Sequence, residues 1–218
     1  MLNQQFKDEV VRRLLPRVQT PGQYVGGELN AVVKDRRGLR GRVCLAFPDA
    51  YAIGMSCHGL QVLYHVMNRR EDWACERAFA PWLDMERLLR ETGIPLYSLE
   101  TFTPLGEFDV LGFTLQHELA GTNVLTMLDL AGIPLAADER TWRHPLVIAG
   151  GPSVANPEPM SRFLDLFVLG DGEEMLPRVC DEWIGLKQSG IDRRDALVAM
   201  ATRLPHVYVP RAYAPQHA

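Results

Sequence analysis

Residues 42–60, RVCLAFPDAYAIGMSCHGL, decide how the chain folds. Val43, Leu45, Ala46 and Phe47 form a short apolar run of the kind a strand shows when both faces of its sheet are covered. Pro48 and Asp49 end the run, because proline donates no hydrogen bond to a ladder. Gly54 permits a tight turn or a close backbone approach. Leu60, Leu63, Tyr64 and Met67 then recur at helical spacing. Strand, glycine loop and helix make the opening unit of an open α/β sheet, in which ligands sit beyond the carboxyl ends of the strands. The loop at residues 49–58 is therefore the first place to look for a site.

Working outward, residues 4–15 read as a short amphipathic helix with Phe6, Val10, Val11, Leu14 and Leu15 on one side, stopped by Pro16. Residues 20–41 are rich in glycine and charge and read as an arm, with a short edge strand at 31–34 and a turn at 35–38. Downstream, residues 69–80 look like a polar connection carrying Trp73 and Phe79. Pro81 opens a second helix, with Met85, Leu88 and Leu89 inward and Gly93 at its end. Strands are expected at 95–99, 109–115, 146–149 and 164–169, and helices at 121–130, from about 173 to 187, and at 193–204. Pro157 and Pro159 make the fourth crossover short or irregular, and residues 207–210 look like a strand leading onward. The sum is an α/β fold: a three-layer, flavodoxin-like open parallel sheet of about five strands in the order 2-1-3-4-5. Helices cover both faces, and a cleft lies between the first and third strands. Residues 1–40 would be an N-terminal helix and arm, 41–190 a Rossmann-like domain, and 191–218 a C-terminal helix and linker.

Composition bounds the function. The 218 residues suit one domain, and 47% hydrophobic with 23% charged residues is ordinary for a globular protein. A net charge of −4 argues against a broad nucleic-acid surface, and the basic pairs Arg12-Arg13, Arg36-Arg37 and Arg69-Arg70 are each diluted by acids. Cys44, Cys57, Cys75 and Cys180 show no metal-ligand spacing. No stretch reads as a signal peptide or spans a bilayer, so the expected compartment is the cytoplasm, with no membrane partner.

Three glycine-bearing loops, at residues 49–54, 150–153 and 170–173, follow expected strands. Each alone reads as an ordinary strand–helix turn. Together with Thr114 and Gln116 beyond the third strand, they point to one cleft. The chain has no G-x-G-x-x-G and no G-x-x-x-x-G-K-[ST], and Glu173 and Glu174 would repel a phosphate at their helix start. A large, mostly neutral ligand fits better. His117 and Glu118 could place an acid–base pair at the rim, though a helix-start glutamate is equally well explained by the helix dipole, and Cys57 reads as a packed thiol rather than a reactive one.

Asp49-x-Tyr51-x-x-Gly54 resembles the D-x-H-x-x-G motif of cobalamin-binding Rossmann-like domains, with tyrosine for histidine. Thr114-Leu115 and Gly150-Gly151 stand in the order of that group's S-x-L and Gly-Gly elements. The phrases FPDAYAIGMS, ERAFAPWLDME, LGFTLQHEL, TNVLTMLDLAGIPL, IAGGPSVANPEP and VLGDGEE resemble the N-terminal portion of a family of cobalamin-binding-type radical S-adenosylmethionine (SAM) proteins, over about residues 20–212. The resemblance implies a cobalamin site formed by Asp49, Tyr51, Gly54, Thr114, Gln116, Gly150, Gly151 and Gly172, without histidine ligation of cobalt and with no catalytic or metal-binding residue. It also implies a radical SAM barrel, in cis or in trans, that brings S-adenosylmethionine and a 4Fe-4S cluster. The C-x-x-x-C-x-x-C loop for that cluster is absent from these residues, and in the family the barrel would follow shortly after Val209-Pro210. Loss of the histidine motivates an alternative: a cofactor-free docking module for the barrel or another partner. A free-standing flavin or nucleotide enzyme has the least support.

Overall fold

The structure, a computed structural model, describes residues 4–213. The first three residues of the expected arm and the last five of the expected linker lie outside that range. Six strands form one sheet in the order β2-β1-β3-β4-β5-β6. They are β1 (Gly41–Phe47), β2 (Trp73–Phe79), β3 (Val110–Thr114), β4 (Leu146–Gly150), β5 (Leu166–Val168) and β6 (Val207–Tyr208). The first five are parallel, and β6 runs antiparallel to β5. The expected fold class therefore holds.

Alternate side chains along β1 feed two cores. Cys44 and Ala46 join the buried cluster beneath α1 (Gln4–Arg13), α4 (Leu83–Thr92) and α5 (Gly121–Leu130). Val43, Leu45 and Phe47 join the cluster beneath α3 (His58–Asn68), α6 (Gly172–Gln188) and α7 (Arg193–Arg203). This period of two is what a strand covered on both faces requires. A short helix, α2 (Tyr51–Ser56), precedes α3.

Three expectations are corrected. The second strand is residues 73–79, which read as a polar connection, and not residues 95–99. Glu76 and Arg77 break its apolar pattern, yet both are buried because the following loop satisfies them. The Ser98 hydroxyl donates to Glu76 Oε2 at 2.5 Å and the Thr101 hydroxyl to Glu76 Oε1 at 2.9 Å. Arg77 Nε donates to Glu100 Oε1 at 2.8 Å, its backbone N–H donates to Glu100 Oε2 at 2.7 Å, and its guanidinium lies 4.1 Å from the Tyr64 ring centroid. Residues 95–99 instead run beside β2, where the Leu99 N–H donates to the Arg77 carbonyl at 2.9 Å. The free edge of β2 is thus closed by side chains and loop.

Second, residues 31–34 form no strand. The arm is pinned instead: Val32 N–H donates to the Tyr64 hydroxyl at 2.7 Å, and the Lys34 ammonium donates to the carbonyls of Asn68, Arg70 and Trp73 at 2.8, 2.5 and 2.7 Å. Third, the segment expected to lead onward folds back, and Phe167 pairs with Tyr208. Short 3-10 turns at Pro152–Ala155 and Glu158–Met160 make the fourth crossover irregular, as the prolines suggested.

Candidate functional site

A cleft of about 230 Å³ opens at the carboxyl ends of β1, β3, β4 and β5, on the α3/α6 face. Leu45, Ile148 and Val168 give it an apolar floor, and Gly112 keeps that floor flat. Gly59 and Leu63 of α3 form one wall; Gly172, Glu173 and Leu176 of α6 form the other. The sheet order changes direction between β1 and β3, so the cleft spans the position where open α/β sheets bind ligands and extends on to β5.

Five of the eight residues expected at the site line this cleft: Thr114, Gln116, Gly150, Gly151 and Gly172. Among the described residues, neither the Thr114 hydroxyl nor the Gln116 amide has a side-chain partner, so both are free to bond a ligand. The adjacent glycines differ. A Cβ on Gly150 would meet nothing within 4 Å. Gly151 has φ +104°, and a Cβ there would sit 2.7 Å from the Leu115 carbonyl oxygen, so its backbone needs glycine whether or not a ligand is present. A Cβ on Gly172 would approach Leu63 to 2.9 Å, so the missing side chain lets α6 start close to α3.

Asp49, Tyr51 and Gly54 do not line the cleft. Asp49 Oδ1 accepts from the Ala50 N–H at 2.7 Å, and the residue borders a groove on the opposite face of the sheet. The Tyr51 hydroxyl donates to Glu28 Oε1 at 3.2 Å, and its ring stands edge-on to Phe79 at 5.4 Å. Burial and the neighbouring Glu28 carboxylate raise its pKa. Gly54 is buried within α2, and a Cβ there would fall 2.3 Å from Phe79 Cε1. The glycine is needed for packing α2 onto the strand end.

Sequence reading missed Gly59, Leu63 and Leu176, which reach the cleft from helices. The one-turn spacing of Gly59 and Leu63 on α3 was the available signal. Among the described residues, the lining includes the carboxylates of Asp171 and Glu173 and no lysine, arginine or histidine. That balance disfavours phosphate and suits a neutral ring with hydrogen-bonding edges. Among the described residues, no three His, Cys, Asp or Glu side chains come together so as to hold a metal ion, and no helix is long and apolar enough to cross a membrane.

No curated protein matches the chain significantly. A family model described as "Radical SAM proteins, N-terminal" matches residues 59–210, from the start of α3 through β6. The match leaves out β1 and α2 but takes in the loops after β3, β4 and β5 that form most of the cleft. With well over half of its length matched, the chain belongs to the family of N-terminal regions of radical SAM proteins.

Proposed function

We propose that this domain is an accessory module that holds a cobalamin-type cofactor at its cleft and presents it to a radical SAM catalytic domain, in cis or in trans. The observation that carries the reading is the apolar slot at the strand ends, with the free side chains of Thr114 and Gln116 at its rim and open space over Gly150. A slot of about 230 Å³ admits a ring-sized part of such a ligand and leaves a macrocycle outside, over the sheet edge. The residues present fit that neutral part. They offer no nitrogen to cobalt: the cleft lining has no histidine, and Tyr51 is engaged with Glu28. Thr114 and Gln116 would bond the ligand, and Gly150 and Gly172 would admit it. S-adenosylmethionine and the 4Fe-4S cluster would belong to the catalytic domain. Four free thiols, Cys44, Cys57, Cys75 and Cys180, suit a reducing compartment, and we place the protein in the cytoplasm.

The test is a hydroxocobalamin titration followed by gel filtration and the visible spectrum. Retained corrinoid is expected, with a spectrum lacking a protein nitrogen ligand. Gly150→Trp is the informative variant, because the open space over Gly150 lets an indole fill the slot without a backbone clash. Equal retention by Gly150→Trp would rule out this site. Gly151→Trp and Gly54→Trp would disturb the fold itself.

A second reading, a docking module without cofactor, is favoured by one observation. The loops and helix starts after β1, β2, β3 and β5 each leave a large apolar side chain exposed: Ile53, Leu83, Leu119 and Leu169. No corrinoid retention, by this chain or by a protein that joins it to its catalytic domain, would leave that reading in place.

A further inference from the structure

A groove of about 250 Å³ lies across the sheet from the cleft and shares no lining residue with it. Asp49 and Ala50 at the end of β1, Trp82 and Glu86 at the start of α4, and Asn123 and Thr126 on α5 surround it. Trp82 is 57% exposed, although an indole ordinarily buries most of its ring. Each carboxylate is used through one oxygen, and Glu86 is ion-paired with Arg90 of its own helix. Asp49 Oδ1 accepts from the Ala50 N–H at 2.7 Å, and Glu86 Oε1 accepts from Arg90 Nε at 3.0 Å. Asp49 Oδ2 and Glu86 Oε2 bond no other described residue. Among the described residues, no lysine, arginine or histidine lines the groove.

An indole face beside two part-free carboxylates and an amide carbonyl is complementary to a planar cation. A guanidinium suits such a lining better than an ammonium, because its flat face stacks on an aromatic ring while its fork of donors matches carboxylate geometry. The surroundings favour a protein as the source of that cation. Leu83 in the groove wall is 73% exposed, and Leu119, one turn before Asn123, is 84% exposed. A small ion would leave both in water, whereas an apolar segment would cover them.

We propose that this groove is a second recognition site, which takes an arginine side chain presented by an apolar segment of a partner protein. The site is independent of the cofactor reading.

The test uses the peptide acetyl-Leu-Arg-Leu-amide against the full chain, with the Trp82 indole N–H signal as the readout, assigned from Trp82→Phe. Saturable displacement of that signal is expected. The citrulline peptide, neutral and of the same shape, should fail to displace it, and the lysine peptide should bind more weakly. Asp49→Asn keeps the oxygen that caps Ala50 and should weaken the arginine peptide about fivefold, with the other indole signals unmoved. Equal binding of the arginine and citrulline peptides would overturn the proposal in favour of a purely apolar surface. Equal binding of lysine would overturn the guanidinium assignment, and no binding of either would overturn the site. Because the probe holds no corrinoid, none of these outcomes bears on the cleft.

Discussion

Glu100 shows how much one buried carboxylate can set. Burial pushes its carboxyl up to about 7, against the opposing influence of Arg77. Unfolded, a glutamate titrates at about 4.3. Between those values the folded chain holds a proton that the unfolded chain has released. This contribution to stability is full below the lower value and is lost as pH rises through about 7. Glu100→Gln should therefore remove part of the decline in unfolding free energy between about pH 5 and pH 8. Denaturant titrations of both proteins at the two pH values check this, and identical pH slopes would refute it. Residue by residue, the candidate site was unevenly legible. Thr114 and Gln116 were found because they follow an unmistakable strand. Gly150 and Gly151 look alike in sequence, and only the backbone shows that one borders open space while the other is held by its own turn. Asp49, Tyr51 and Gly54 carry the right spacing, but α2 begins at Tyr51 and turns the stretch away from the cleft.

Among the elements, β1 and β3 were legible because every inward position is apolar on both faces. β2 was not. Its charges belong to a network whose other half lies more than twenty residues later, at Ser98, Glu100 and Thr101, and no local pattern announces such partners. β6 was seen as a strand but not as the closing edge of the sheet, because two residues carry no direction. Its pairing nonetheless matters. Val207 and Val209 are buried, and the Tyr208 hydroxyl donates to Glu158 Oε1 at 2.5 Å. Deleting residues 206–213 would leave Leu166–Val168 with an unpaired hydrophobic edge. The expected outcome is concentration-dependent association, read by light scattering after gel filtration. A truncated chain that stays monodisperse would show that β6 does not guard that edge.

Across the whole molecule, the sheet presents one carboxyl edge with two different openings, an apolar slot on the α3/α6 side and an acidic, indole-walled groove on the α4/α5 side. Sequence reading reached the first because glycine loops mark strand ends. It did not reach the second, whose residues come from three separate elements and follow no shared spacing. The arm at residues 20–40 has less regular structure than any other part of comparable length, which ordinarily marks a site of cleavage. Its anchoring changes which bond a protease would find. Trypsin must draw a basic side chain into its own specificity pocket, and the Lys34 ammonium is already spent on three carbonyls around the end of α3. Arg36 is held by the Thr103 hydroxyl at 2.6 Å. Arg37, which among the described residues pairs with its neighbour Asp35 alone, projects into solvent. Brief digestion of the native protein should therefore nick the arm after Arg37 and spare the bond after Lys34, as intact-mass analysis of the fragments would show.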